Sequence, residues 1–354
     1  MELQTTLTQN EIEKRIKSVP ELLLGWYYQN RRILPWREES TPYRVWISEI
    51  MLQQTRVRAV IPYYERFLTA LPSISDLANA DDDLLKKLWE GLGYYSRVRN
   101  LKAAAIKVME EFGGELPADY RLLQTLPGIG EYTAGAIGSI AFGLKVPVVD
   151  GNVFRVLSRI FASHLDITKP QSKAAFTELA TAMLPDTPGD FNQALMELGA
   201  LVCVPNGAPL CGECPLKAFC AAYDTELSEK LPIKSEKPQR SIQEYTVLIY
   251  RNQDKFFLVK RPEKGLLAGM WGFVMQEGIL SQSQVEKETA CAVIPLGKSK
   301  HIFTHIEWHM AGYLLESDCG LEDGIWVSAQ ELSEQYAIPA AYRKYRDFII
   351  QKYC

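Results

Sequence analysis

The chain has 354 residues, 47% of them hydrophobic and 23% charged, with a formal net charge of −4. That length predicts about two globular domains with sizeable cores, and the charge excludes a uniformly basic nucleic-acid binder while leaving room for a local basic face. No apolar run reaches the ~20 residues of a membrane span and the first residues read as no signal peptide, so a cytoplasmic compartment without membrane attachment is expected.

Residues 8–31 predict one helix around Pro20, with Ile12, Ile16, Leu22, Leu23 and Trp26 as apolar positions. A basic and aromatic turn, Arg31 to Arg37 (RRILPWR), follows. Tyr43 to Leu68 is again helical in pattern, with Pro62 as the expected break or restart. Inside it Val45, Trp46, Ile47, Ile50, Met51 and Leu52 surround Ser48 and Glu49 on nearly every side. A helix apolar all round is buried, so Glu49 is expected either to be paired or to have a raised pKa. Gln53-Gln54-Thr55-Arg56-Val57-Arg58 ends the segment with amides and arginines, which suit bases and phosphates but equally a solvated helix end.

Residues 75–112 predict two helices interrupted by Trp89 to Arg97 (WEGLGYYSR). Its glycines, Leu92 and Tyr94 describe a loop whose side chains could wedge between bases; a core aromatic cluster is the competing reading. Arg97, Arg99 and Lys102 follow where phosphate contacts would sit. After a turn at 114–119 and a short helix comes Leu126 to Asn152, LPGIGEYTAGAIGSIAFGLKVPVVDGN. Gly128 and Gly130 feed a helix, and the unpaired N–H groups at such an N-terminus make a natural phosphate seat, although Gly-x-Gly is also an ordinary interhelical turn. Asp150, just before Val153 to Ile160, reads locally as an N-cap. The chain stays helical to about residue 200, broken at Pro185 and Pro188, so this half is expected to be all-α.

Four of the seven cysteines lie within 18 residues, as Cys203-x7-Cys211-x2-Cys214-x5-Cys220; Cys291, Cys319 and Cys354 are scattered. A reducing compartment argues against disulfides, and four thiolates on a short loop make a closed site for zinc or an iron–sulfur cluster. Residues 226–241, charged and punctuated by Pro232 and Pro238, read as a linker. Beyond it Tyr245 to Tyr250 and Phe256 to Lys260 are strand-like, joined by a hairpin signal at Arg251-Asn252-Gln253-Asp254. Further strands at 310–315 and 324–328, with helices near 283–291 and 340–350, complete a smaller α+β domain. The expected division is 1–225, a linker at 226–241, and 242–354.

With these pieces placed, residues 10–222 resemble the endonuclease-III superfamily of helix–hairpin–helix DNA glycosylases, and more narrowly the MutY-type adenine DNA glycosylases. The matching segments are Leu34 to Arg37, Ser48 to Thr55, Trp89 to Arg99, Leu126 to Ala136, Val149 to Val153 and the four cysteines. The resemblance implies a 4Fe–4S cluster on Cys203, Cys211, Cys214 and Cys220, although the first gap here is one residue longer than the family's. It also implies a monomer acting on double-stranded DNA at A:8-oxoguanine or A:G mispairs. Glycosylases of this fold that also cut the strand carry a lysine two residues after the last hairpin glycine, where its amine forms a Schiff base. This chain has Tyr132 there, so monofunctional base excision is expected. Residues 242–354 resemble the MutY C-terminal domain, which is similar to Nudix hydrolases. Gly265 to Phe273 matches the segment before a Nudix box, but residues 276–290 lack the box's metal-binding glutamate pattern. The resemblance makes this a reader of 8-oxoguanine through Phe303, Thr304 and His305, with Thr304 where many relatives carry serine.

Cleaving the adenine N9–deoxyribose bond makes an oxocarbenium-like sugar and a poor leaving group. The chemistry calls for a protonated acid at the base and an ionised carboxylate at the sugar. Glu49 fits the acid, protonating adenine N7 and later activating water; Asp150 fits the ionised partner. By resemblance Tyr132 and Asn152 are hydrogen-bonding helpers. The adenine must leave the stack, and Gln54, Leu92 and Tyr94 are the candidates to fill or wedge the gap, with Thr55 beside them. Gly128 and Gly130 would hold the phosphate, with an alkali or divalent cation at the hairpin. Three rivals stand against this reading. Tyr132 disfavours a strand-cutting lyase, the two carboxylates disfavour a non-catalytic binder, and the missing glutamates disfavour a nucleotide hydrolase.

Overall fold

The computed structural model describes residues 3–205, 207–236, 239–316 and 323–354; Pro238 and Cys319 lie outside them. The chain divides into two compact units, Met1–Asn79 with Asn100–Glu236, and Ala80–Arg99 with Lys237–Cys354. Among the described residues no helix is long and apolar enough to cross a membrane.

The first unit is helical. Its opening helix, Gln9–Asn30, begins at a reciprocal cap in which Thr8 and Glu11 each accept the other's backbone N–H, and it runs on through Pro20. Val19 and Leu23 from this helix, Val156 and Leu157 from Gly151–Ile160, and Leu195 and Leu198 from Pro188–Leu201 are buried in one core. The expected break at Pro62 falls elsewhere. Helix Pro42–Leu52 ends at Gln53, Val57–Ala70 begins after Arg56, and Pro62 lies inside the second helix. Gln54 takes left-handed backbone, φ 58°, which stops the ladder, whereas Pro62 costs the new helix a single donor.

The two helices expected over 75–112 are three: Ile74–Asn79, Asp82–Leu88 and Ser96–Glu111. Asp81 accepts from the Asp83 and Leu84 amides and so starts a helix the apolar pattern alone does not separate. After the short helix Tyr120–Leu123 and the glycine turn, Glu131–Ala136 continues as a π-helical turn, Ile137–Ala141. Gly151–Ile160, Pro170–Ala182 and Pro188–Leu201 follow, and the cysteine loop carries two 3-10 turns, Cys211–Glu213 and Lys217–Phe219. The stretch read as a linker is partly docked on this unit: Ile233 bridges Asp166, whose carboxylate accepts from Ser235.

The second unit is built on a seven-stranded mixed sheet. Its strands are β1 Ser241–Asn252, β2 Lys255–Lys260, β3 Trp271–Gly272, β4 Val274–Glu277, β5 Val293–Ile302, β6 Ile306–Glu316 and β7 Gly324–Ser328. The order is β3-β2-β1-β6-β5, with β4 also on β1 and β7 also on β2. Only the β1–β6 pair is parallel among these. Side chains of β1 alternate between two cores. Val247 and Ile249 join Tyr345 and Ile349 of helix Arg343–Tyr353, and Leu248 joins Val285 of helix Gln282–Thr289. Strand β5 escapes sequence reading because it is an edge. Among the described residues it pairs only with β6, carries Lys298 and Lys300, and shifts register between Pro295 and Gly297. The architecture is otherwise the expected one, an all-α part followed by a smaller α+β part.

Candidate active site

Glu49 stands in the last turns of Pro42–Leu52, a helix started by the Thr41 side-chain cap. Val45, Trp46, Ile47, Ile50 and Met51 are buried around it, and Glu49 itself is 6% exposed. Its Oε2 accepts from the Tyr132 hydroxyl at 2.6 Å. Burial pushes the Glu49 carboxyl up to about 7; the Tyr132 hydrogen bond opposes the rise and the Asp150 charge adds to it. Burial also lifts the Tyr132 phenol well above its ordinary value, so it stays neutral and remains the donor.

Asp150 caps Gly151–Ile160. Its Oδ1 accepts from the Asn152 and Val153 amides, both at 2.8 Å, and its Oδ2 accepts from Asn152 Nδ2 at 2.7 Å. Burial raises its pKa, and these donated bonds pull it back. Donors favour the charged form. Asp150 accepts three such bonds and Glu49 one from Tyr132, so the site favours the charge on Asp150 over the charge on Glu49. The hydrogen bonds that cap the helix are the same ones that favour the charge on Asp150. Asn152 is held in turn by Arg155, whose Nη2 donates to Asn152 Oδ1 and to Gly199 O, both at 2.8 Å. Gly199 must be small: a Cβ there would lie 2.6 Å from Asn152 Cβ.

Glu49, Thr55, Tyr132, Asp150 and Asn152 line one cavity of about 170 Å³. Leu34, Trp36, Val57, Ile140 and Met196 supply apolar wall, and Arg32, Arg37, Gln193 and Glu197 supply further polar groups. Glu197, 1% exposed, meets Arg32 at 2.7 Å and Arg37 at 3.0 Å. Burial by itself would raise its carboxyl, but the two guanidiniums hold it at about 2, so it does not compete for the Glu49 proton. Sequence reading did not single out Gln193 and Glu197. The signal was there: two polar residues one turn apart in the otherwise apolar stretch 193–201 of helix Pro188–Leu201.

At the hairpin the two glycines differ. Gly128 has φ 77° and its Cβ would lie 2.7 Å from Asn100 Cβ, so the turn itself demands glycine. Gly130 caps Glu131–Ala136 at φ −90° with open space about its Cβ position, so nothing within the protein demands glycine there. The four clustered cysteines line a small pocket with Arg159 and Lys217. Arg159 Nη1 donates to Cys203 Sγ at 3.2 Å, and burial pushes the Cys214 thiol up to about 12 and Cys220 to about 11. Among the described residues no three His, Cys, Asp or Glu side chains stand close enough to share one metal ion. The four thiols share the wall of that one pocket.

The expected recognition residues fall in both units. Gln54 is exposed on its left-handed turn in the first. In the second, Tyr94 is 46% exposed, whereas Leu92 is 7% exposed and turned into the protein, so Tyr94 is the side chain this loop presents. Phe303-Thr304-His305 forms the β5–β6 turn, closed by Phe303 N donating to Ile306 O at 2.8 Å. The Phe303 ring packs edge-on against Trp308 at 4.9 Å, leaving Thr304 and His305 exposed. Tyr94 Oη and Thr304 Oγ1 are 3.3 Å apart.

Residues 47–181 match the HhH-GPD superfamily of base excision DNA repair proteins, and residues 245–347 match the NUDIX domain. The chain is 39% identical to the adenine DNA glycosylase of Mus musculus, over 84% of this chain and 70% of that protein. It is 32% identical to the adenine DNA glycosylase of Schizosaccharomyces pombe, over 96% of this chain and 90% of the relative. A solved thermostable thymine-DNA glycosylase superposes with a TM-score of 0.56 at 30% identity, over 60% of this chain and 98% of its own.

Proposed function

Because the chain belongs to the adenine DNA glycosylases, base excision repair enzymes that hydrolyse N-glycosyl bonds, we propose that its substrate is adenine opposite 8-oxoguanine or guanine in duplex DNA. Glu49 is the acid and Asp150 the ionised partner. The observation that carries this reading is the pair itself. One cavity holds a buried carboxyl titrating at about 7 beside a carboxylate that accepts three hydrogen bonds.

In this reading the flipped adenine enters between the apolar walls and takes the Glu49 proton at N7, so that it leaves as a neutral base. Asp150 faces the sugar and stabilises the oxocarbenium as it forms. Glu49, now a carboxylate, takes a proton from the attacking water. Tyr132 orients Glu49, and Asn152 orients Asp150. No amine occupies the Tyr132 position, and a phenol held neutral is no Schiff-base former, so strand cleavage is not part of the activity. Every catalytic group comes from one chain, so a monomer suffices.

We read Cys203, Cys211, Cys214 and Cys220, which line one pocket, as the ligands of the 4Fe–4S cluster that the family resemblance implies. When bound, such a cluster would cross-link the loop after Pro188–Leu201 through four thiolates.

Gly130 fits the approach of a DNA phosphate. Gly130→Ala should therefore fold like the wild type yet bind duplex roughly 3- to 10-fold more weakly, the worth of one or two backbone hydrogen bonds. Gly128→Ala should instead lower stability by about 1–2 kcal/mol, the cost of left-handed backbone with a Cβ. Thermal melting and duplex titration separate the two; equal melting points for both variants would refute the distinction.

The deciding experiment is single-turnover cleavage of duplexes carrying A:8-oxoguanine, A:T or thymine glycol, each with and without alkali. Breaks only after alkali, and only at the mispaired adenine, are expected. Breaks at thymine glycol without alkali would establish the lyase instead, and tight binding without cleavage a damage-binding protein.

A further inference from the structure

The segment Ala80–Arg99 makes its home on the Nudix-like unit through bonds that neither the catalytic cavity nor the sheet requires. Glu90 is their centre. Its Oε1 accepts from the Ile338 amide at 3.1 Å and from Arg346 Nη1 at 2.9 Å, and its Oε2 accepts from Lys87 Nζ at 2.7 Å. Lys87 also donates to the carbonyls of Ser333 and Tyr336. The side chains of Lys87, Glu90 and Arg346 are 23%, 16% and 24% exposed, so the cluster is mostly withdrawn from water. A second tether, Arg99 Nη1 to Ala268 O at 3.3 Å, fixes the far end of the segment.

Between the tethers lies a loop with three left-handed residues, Gly91 at φ 101°, Gly93 at 72° and Tyr94 at 49°. For tyrosine that backbone is strained and persists only where its surroundings impose it. Trp89 Nε1 donates to Gly93 O at 3.1 Å and Arg97 Nη2 to Leu92 O at 3.2 Å. These braces set the shape of the loop, but they do not set its position over the sheet. Glu90 does that, through bonds to Ile338 and Arg346, while Tyr94 meets Thr304 at 3.3 Å.

We propose that Glu90 is a specificity-determining positioning residue. Its bonds to Arg346, Lys87 and the Ile338 amide hold the loop so that Tyr94 and Thr304 face the base opposite the adenine as one reading element. The proposal rests on the reading that adenine opposite 8-oxoguanine is the preferred substrate. Its consequence is selective: losing the Glu90 charge should cost the preference for that base and leave the Glu49–Asp150 chemistry alone.

The test uses the full chain as wild type, E90Q, R346Q and the double variant. Single-turnover excision and duplex binding are measured on A:8-oxoguanine and on A:G. In E90Q and R346Q the preference for A:8-oxoguanine should fall roughly 3- to 10-fold, the usual range for residues that couple two elements, with the A:G rate at saturating enzyme unchanged. The double variant should lose no more than the worse single, because both remove one interaction. A preference retained in E90Q, additive losses, or an equal fall on both duplexes would overturn the proposal while the functional reading stands. A wild type with no preference would overturn that reading, and the proposal with it.

Discussion

Glu49→Gln should release adenine on the order of 10²–10⁴-fold more slowly than the wild type in a single turnover, with binding to the mispaired duplex kept. Glutamine has the shape of glutamate and can still accept from Tyr132 Oη, 2.6 Å from the native carboxylate. It has no proton to give to the base and none to take from water. The pH dependence carries the same signature. Glu49 titrates at about 7, so the active protonated acid is present below that pH and lost as pH rises through it. The wild-type rate should fall over that window, and the variant's residual rate should lack this limb.

Stability should respond in the opposite sense to activity. The Glu49 carboxyl titrates at about 7 in the folded chain against an ordinary 4.5, so the folded state binds this proton more tightly than the unfolded state does. The cost of burying the charge is absent below pH 4.5 and complete above pH 7, where it amounts to about 3 kcal/mol. Glu49→Gln should thus stabilise the protein by up to that amount at pH 8 and hardly at all at pH 4. Melting curves at the two pH values measure it. Adenine release at the normal rate, or a pH-independent stability change, would remove Glu49 from its assigned role.

Asp150→Asn should also slow excision on the order of 10²–10⁴-fold, for a different reason. The carboxylate that faces the developing oxocarbenium is replaced by a neutral amide. The substitution keeps the N-cap, since asparagine caps a helix as well as aspartate does, and its oxygen can still accept from the Asn152 and Val153 amides. One contact turns unfavourable: an amide nitrogen at the Oδ2 position would face the Asn152 Nδ2 donor. The loss of stability should be about 1–2 kcal/mol. Asp150→Ala, which removes the cap as well, separates the roles. If capping were the whole function, Asp150→Asn would keep near-normal excision and only the alanine variant would fail. Denaturant unfolding alongside single-turnover rates distinguishes the cases.

Much of this protein is decided locally. The Thr8–Glu11 cap and the Asp150 cap are written in a few adjacent residues, because backbone donors at helix ends must be satisfied by what lies nearby, and Pro188 starts its helix with no donor to satisfy. The continuous β-branched and apolar run from Tyr245 to Tyr250 announces a strand buried on both faces, with Val247 and Ile249 in one core and Leu248 in another. The burial of Glu49 follows from the apolar residues on all sides of its own helix. Tertiary structure decided the rest. Tyr132 reaches Glu49 across 83 positions, and Arg32 and Arg37 reach Glu197 across 165 and 160. Such pairs appear only when helices pack, since periodicity says which face is apolar and not which helix will cover it. Strand β5 was hidden because an edge needs no apolar face, and Leu92 is buried, which residue type alone does not fix for a loop flanked by glycines. The seating of Ala80–Arg99 on the sheet unit likewise depends on charges more than 200 positions away in the chain, a distance over which local pattern carries no information.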